Sequence, residues 1–235
     1  MPGDFMLKTL KEGLPRLGLQ LEEDTCQRLC AFGQAVVEQN KVMNLTAITE
    51  PTQVAKLHLL DSLSLLRLQD LSGKKMIDVG CGAGFPGVPV KIACPGVELT
   101  LLDSLGKRMN WLETVLPTLG VVAECVTARA EEAVVQRRES YDVATSRAVA
   151  RLNILLELTA PYVKVGGLVL AMKGAAAEEE LQEAKGAIQR LGLKLEKVHT
   201  FPVEDTAHAV IVLRKVAATP SKYPRRYAKI KQNPL

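Results

Sequence analysis

From Lys74 onward, short aliphatic runs alternate with helical patterns, and this alternation constrains the fold more than any other feature of the chain. "KMIDV" is followed by a helical pattern over Val88 to Ala93, "VELTLLD" by Lys107 to Leu116, and "AECVTA" by Glu131 to Arg137. "YDVATS" then leads to Leu152 to Tyr162, and "GGLVLAMK" to Ala175 to Leu191. Each intervening helix lets the chain cross over and start the next strand from the same end, so the first five strands are expected to be parallel in a doubly wound α/β sheet. Between "KLEKVHTFPV" and "HAVIVLRKV" there is room only for a turn, so these last two pair as a hairpin and one strand runs antiparallel.

Upstream, Asp4 to Leu71 reads as amphipathic helix: Leu21, Cys26, Leu29, Cys30, Phe32, Gly33, Val36 and Val37 recur at spacings of three and four. A turn and new cap at Asn44–Thr46 and Thr49–Pro51 precede another helical run, "TQVAKLHLLDSLSLLRL". The expected organisation is a helical extension over 1–72 packed on an α/β domain over 73–215, with a tail over 216–235.

A hydrophobic content of 47% and a charged content of 24% are those of a water-soluble globular chain, and no apolar run approaches the length of a membrane span. The N-terminus lacks a basic start followed by an apolar stretch, so no signal peptide is expected and a cytoplasmic location is the default. Cys26, Cys30, Cys81, Cys94 and Cys125 form no CxxC pair, and His58, His199 and His208 are dispersed. Reduced thiols and no metal are expected. The net charge of +4 is uneven, because residues 214 to 235 carry seven basic side chains and no acidic one. A near-neutral body with a basic terminus points to a compact core with an arm for an anionic partner.

The stretch "MIDVGCGAGFPG", Met76 to Gly87, follows the first strand with Gly80, Gly82, Gly84 and Gly87. Ligands of open α/β sheets collect beyond the C-terminal strand ends, and glycines there admit positive φ and close backbone approach. Gly82-x-Gly84-x-x-Gly87 matches the dinucleotide fingerprint, but it begins too deep in the turn. Asp78 decides more. A pyrophosphate beside this carboxylate would be repelled, whereas the ammonium and sulfonium of S-adenosylmethionine would be attracted. Asp103 ends the second strand, where a carboxylate can accept both ribose hydroxyls. Ala130 and Glu131 follow the third strand, where a backbone N–H and a methyl group could frame an adenine.

The fourth strand bears on the chemistry. Methyltransferases acting on exocyclic amines of bases carry a [DNS]-P-P-[YFW] element after it, and those acting on pyrimidine C5 carry a Pro-Cys nucleophile. Here the strand ends "ATSRAVA", and the only similar string, "TAPY", lies a helix later. A ring nitrogen such as guanine N7 already presents a lone pair, so catalysis reduces to positioning and electrostatics without a general base. Arg147 is placed to reach that pocket. It cannot fork onto guanine O6 and N7, because N7 must face the methyl group, which leaves O6, a phosphate or a cofactor carboxylate.

"NLTAI" at Asn44, "HLLDSL" at His58, "DVGCGAGFPG" at Asp78, "LLDSLGKR" at Leu101, "SRA" at Ser146 and the terminal "KYPRR" together resemble the ribosomal small-subunit methyltransferase G family, also called glucose-inhibited division protein B. The resemblance implies a class I S-adenosylmethionine-dependent methyltransferase (Rossmann-like) fold, with a seven-stranded, mostly parallel sheet and an N-terminal helical extension. It also implies N7 methylation of guanine 527 in the 530 loop of 16S ribosomal RNA, with naked RNA or the small ribosomal subunit as partner and S-adenosyl-L-homocysteine as product. Carried over, Gly80, Gly82, Phe85, Ala130, Glu131 and Arg147 would touch the cofactor alongside Asp78, with Asp103 and Ser104 at its ribose. His58, Asp61 and Ser62 would shape the substrate side, and Arg147, His58 and Asp61 would position the reaction. The family's tail carries a Gly-x-Pro-x-Lys-x-Pro-Leu stretch, whereas "RYAKIKQNPL" keeps the charge and final Pro-Leu but lacks the glycine.

In the tail, Lys222, Arg225, Arg226, Lys229 and Lys231 interleave with Tyr223 and Tyr227, a pattern able to neutralise phosphates and stack on bases. Lys107, Arg108 and Lys173 would extend this RNA-binding path to the pocket, and a monomer is expected. A noncatalytic RNA-binding assembly factor and a nicotinamide-dependent oxidoreductase are the competing classes.

Overall fold

The computed structural model describes residues 2–203 and 206–235. Seven strands form one sheet in the order β3-β2-β1-β4-β5-β7-β6. They are β1 (Lys75–Val79), β2 (Glu98–Asp103), β3 (Glu124–Thr127), β4 (Tyr141–Arg147), β5 (Val163–Lys173), β6 (Leu193–Val203) and β7 (Thr206–Lys215). The first five are parallel, with Ile77 beside Thr100 of β2 and Ala144 of β4. β7 is antiparallel to both its neighbours and inserts between β5 and β6. The hairpin expected from the sequence is therefore present, and Glu204 and Asp205 fall outside the described residues.

The near-continuous apolar strands have the physical reason expected of a parallel sheet, in that both faces are covered. Met76, Val143, Leu168, Leu170 and Met172 face one core, shared with helices α1 (Pro2–Gly13), α2 (Glu23–Met43), α5 (Gly87–Ala93) and α6 (Gly106–Thr118). Ile77, Ala144, Val169 and Ala171 face the other. There they meet α8 (Leu152–Thr159), α9 (Ala177–Glu183) and α10 (Lys185–Arg190), with the short α7 (Ala130–Ala133) preceding Val134. The helix expected over Ala175 to Leu191 is thus two helices, divided at Ala184.

The run after Pro51 is helical to Arg67 but not uniform. α3 (Pro51–Val54) is capped by Glu50, whose carboxylate accepts from the Thr52 and Gln53 N–H groups. It passes into a π-type turn over Ala55–Leu60 and then α4 (Asp61–Leu63). A π turn shifts the angular position of everything after it, and here it carries His58 and brings Asp61 to the sheet end.

The basic terminus corrects the expectation of an arm, because it packs on the domain. The guanidinium of Arg138 donates to the carbonyls of Thr219, Pro220 and Tyr223. Lys215 is fully buried and donates to Ala160 O and to Thr219 Oγ1. The chain ends in α11 (Tyr227–Gln232), which buries Ile230 completely.

Candidate active site

The strand order reverses between β1 and β4, and the crevice beyond their C-terminal ends is where such sheets bind ligands. A cavity of about 510 Å³ opens there, lined by the glycine turn, Asp103, Ser104, Ala130, Glu131 and Arg147 among others. The sequence-expected residues Gly80, Gly82, Phe85, Asp103, Ser104, Ala130, Glu131 and Arg147 all reach its wall. Gly82 has φ +57°, and a Cβ there would meet only Arg108 Nη1, at 3.9 Å. Backbone conformation, rather than crowding, favours glycine at this position.

Asp103 braces the turn from β2. One carboxylate oxygen accepts from Gly82 N–H at 3.0 Å and the other from Leu105 N–H at 2.9 Å. Each oxygen keeps a lone pair for a ligand hydroxyl. Asp78 is placed differently from its neighbours. It is fully buried beneath the turn and absent from the cavity wall. Its Oδ2 accepts from Gly87 N–H at 2.8 Å, and a Cβ on Gly87 would sit 3.0 Å from that oxygen and 2.8 Å from Leu101 Cδ1's partner methyl, Cδ2. Gly87 therefore lets the start of α5 approach the carboxylate. Oδ1 has no hydrogen-bond partner among the described residues. Burial pushes the Asp78 pKa up to about 7, against the Gly87 bond and the Arg147 charge.

Arg147, at the end of β4, joins the N-terminal helices to the site. Its Nη1 donates to Asp61 Oδ2 at 3.0 Å and to Leu57 O at 2.9 Å, and its Nη2 lies 3.1 Å from His58 Nδ1. The guanidinium also sits 5.2 Å from the centre of the Phe85 ring, on which His58 stacks at 4.7 Å. Burial and the neighbouring Arg147 charge lower the His58 pKa to about 4, so the imidazole is neutral near pH 7. Nδ1 lies 3.1 Å from both the Arg147 Nη2 donor and the Leu57 carbonyl, and Nε2 lies 2.8 Å from Thr46 Oγ1. The remaining Asp61 oxygen meets His208 Nδ1 at 3.0 Å, an interaction that raises the His208 pKa. Ser62 points elsewhere, donating to His58 O. Ala148 follows with φ +56°, a left-handed conformation that an alanine rarely adopts.

A second cavity, of about 870 Å³, shares Arg147, Ala148 and Val149 with the first. His58, Asp61, Arg151, Met172, Lys173 and His208 contribute to its lining. A further cavity of about 590 Å³ lies at the opposite strand ends, near Lys75, Glu98 and Arg137, and holds none of the expected residues.

The expected RNA-binding residues divide into two groups. Lys107, Lys222, Arg226 and Lys229 are exposed, and Arg108 is half-buried beside the first cavity. Two others correct the sequence expectation. Lys173 is half-buried, its side chain only 6% exposed, with Nζ 2.8 Å from Glu180 Oε2 and donating to Ala150 O. Arg225 is held by Glu157, a fully buried carboxylate, through its own backbone N–H, Nε and Nη2 at 2.8, 2.8 and 2.6 Å. Sequence reasoning missed Val149 and His208 on the cavity walls and Thr46 behind His58, and it placed Tyr227 in the RNA-binding tail rather than at a cavity. It also missed Glu157, whose position among leucines in "LLELTAPY" is a signal that a buried charge needs a partner. Among the described residues, no cluster of three or more His, Cys, Asp or Glu side chains could hold a metal ion, and no helix is long and apolar enough to cross a membrane.

This sheet order, with β7 inserted antiparallel and a glycine turn after β1, is the class I S-adenosylmethionine-dependent methyltransferase fold. Solved structures agree: TYW2 of M. jannaschii in complex with AdoMet matches with a TM-score of 0.53 at 12% identity, covering 63% of this chain and 72% of that one. The [4+2]-cyclase SpnF matches at 0.56 and 14%, covering 75% and 86%. At such identities the likeness shows the fold alone. Sequence goes further. The model of the rRNA small subunit methyltransferase G family matches residues 25–209. The ribosomal RNA small subunit methyltransferase G of Alkaliphilus oremlandii is 46% identical over 233 residues, covering 96% of this chain and 97% of that protein. The chain belongs to the rRNA small subunit methyltransferase G family.

Proposed function

We propose that the chain transfers the methyl group of S-adenosylmethionine to N7 of one guanine in the 530 loop of 16S ribosomal RNA, guanine 527 by family resemblance, without a general base. The observation that carries this reading is the pair of cavities sharing the Arg147–Val149 wall at the C-terminal strand ends. One would hold the cofactor and the other the extruded target nucleotide, so that donor and acceptor meet across that wall.

The residues present fit the cofactor. Asp103 and Ser104 would hold its ribose, Gly80, Gly82 and Phe85 its amino-acid end, and Ala130 and Glu131 its adenine. The unpartnered Oδ1 of Asp78, buried under the glycine turn, is suited to act on the cofactor's cationic end through the turn above it or through water. When bound, the cofactor supplies an electrophilic methyl group on a sulfonium.

The chain's own groups favour positioning over proton removal. Both ring nitrogens of His58 are committed, to Arg147 and Thr46. Both Asp61 oxygens are committed, to Arg147 and His208. The Asp61 carboxylate raises the His208 pKa and so favours the charged form of that imidazole beside the second cavity. Asp61 also offsets the Arg147 charge, which would otherwise oppose a positively charged methyl donor at the shared wall. Guanine N7 needs no deprotonation, so such a site suffices.

Calorimetry and single-turnover labelling test the reading. S-adenosylhomocysteine is expected to bind and NADH not, and label from S-adenosylmethionine is expected to enter 16S ribosomal RNA of small subunits lacking the mark. Binding of NADH alone would establish the oxidoreductase alternative, and cofactor binding without RNA labelling would establish the noncatalytic one.

A further inference from the structure

The basic terminus contributes to the cofactor-side cavity. Tyr227, half-buried at the start of α11, lines it together with Ala130, Glu131 and Leu158. Its backbone N–H lies 3.3 Å from Glu131 Oε1, the side chain that follows β3. The segment leading to it is clamped in two places. Arg138 holds the carbonyls of Thr219, Pro220 and Tyr223, and the buried Glu157 holds Arg225 through three hydrogen bonds. After Tyr227, Ile230 is fully buried. A terminus whose only role was to meet phosphates would not need its backbone fixed at Thr219–Tyr223, Arg225 and Ile230.

We propose that Tyr227 is a cofactor-contacting residue, and that the segment from Thr219 to Gln232 is a strap forming the outer wall of the cavity's nucleoside end. The inference rests on the S-adenosylmethionine reading of that cavity. An aromatic ring beside the apolar Ala130 and Leu158 offers a face on which a purine can pack, and such stacking tolerates any orientation of the polar base edge. Lys222, Arg226 and Lys229 are exposed on the same strap, so a phosphate backbone meeting them would bear on the element that closes over the nucleoside.

Because the bond to Glu131 comes from the backbone, substituting the Tyr227 side chain leaves that bond in place and isolates the ring. The test is titration calorimetry of the full chain and its Tyr227→Ala, Tyr227→Leu and Tyr227→Phe variants with S-adenosylhomocysteine and with adenosine. Tyr227→Ala and Tyr227→Leu are expected to weaken both ligands by about tenfold or more and by the same factor, since the contact is to the nucleoside. Tyr227→Phe keeps the ring and is expected to stay within about twofold of the parent. Melting of the ligand-free variants near the parent temperature accompanies this result. Unchanged affinity in Tyr227→Ala, with the parent binding normally, would overturn the strap while leaving the cofactor reading intact. A parent that binds neither ligand would overturn that reading, and the strap with it.

Discussion

The glycine turn after β1 and the basic strap at the C-terminus flank one cavity, yet different physics puts each in place. The turn is held by its own neighbourhood: positive φ at Gly82, the Asp103 carboxylate at the end of the next strand, and Asp78 against Gly87. The strap is held by a charge pair spanning 68 residues, Arg225 to Glu157, and by Arg138 reaching 85 residues to Tyr223. Local chemistry defines the first wall. Only the assembled fold defines the second, and a run of cations that resembles a solvated arm includes one whose counter-ion lies in the core.

The sharpest way to break this comparison is Arg225→Ala. If the terminus is clamped, removing the cation leaves the buried Glu157 carboxylate without its counter-charge, held only by the backbone N–H of residue 225, at a cost of about 3–5 kcal/mol. That lowers the melting temperature by roughly 10 °C in a chain of this size, read by thermal denaturation. A solvated arm would give a change within about 0.5 kcal/mol. On the turn side, Gly87→Ala forces a Cβ against Leu101 and Asp78 and is expected to cost about 1–3 kcal/mol in the same measurement. Gly82→Ala meets no such crowding, so its penalty of about 1–2 kcal/mol comes from backbone conformation alone, and weaker S-adenosylhomocysteine binding accompanies it.

The turn also carries a pH signature. With its pKa raised from 3.8 to about 7, Asp78 binds its proton more tightly in the folded state. Its contribution to the stability of the ligand-free chain therefore falls as pH rises from about 4 to about 7. The α-ammonium of S-adenosylhomocysteine favours the ionised carboxylate, so affinity for this ligand is expected to rise with pH up to about 7 and then level off. Asp78→Asn should flatten that dependence in a calorimetric pH series. The smallest effect on the fold is expected from replacing Lys222, Arg226 and Lys229 together by alanine, within about 0.5 kcal/mol in stability. The same variant sharpens the comparison from the RNA side, because the slope of log affinity against log salt should drop by about 2.

What was legible in the sequence follows the same division. β1, the turn, Asp103 at the end of β2 and the alternation that makes β1 to β5 parallel are all carried by residues close in the chain. The amphipathic helices before β1 were readable because spacings of three and four mark a buried face. The π turn at Ala55–Leu60 has no such marker, so the way Asp61 bridges Arg147 and His208 could not be read. Lys173 looked like a cation at a strand end, but Glu180 of the acidic run "EEE" pairs with it. The partners of Asp61 lie across the fold, and Glu180, although close to Lys173 in the chain, is aimed back at it only by the turn from β5 into α9, so linear spacing does not encode the direction of either.

The central claim is tested most directly by locating the methyl group. Small subunits lacking the mark, incubated with the chain and S-adenosylmethionine, can be treated with a reagent that cleaves RNA at N7-methylguanine, and the cut then mapped. The account predicts a single new cleavage in the 530 loop of 16S ribosomal RNA. Methyl transfer to an exocyclic amine or to a different RNA segment, with no cleavage in that loop, would contradict it.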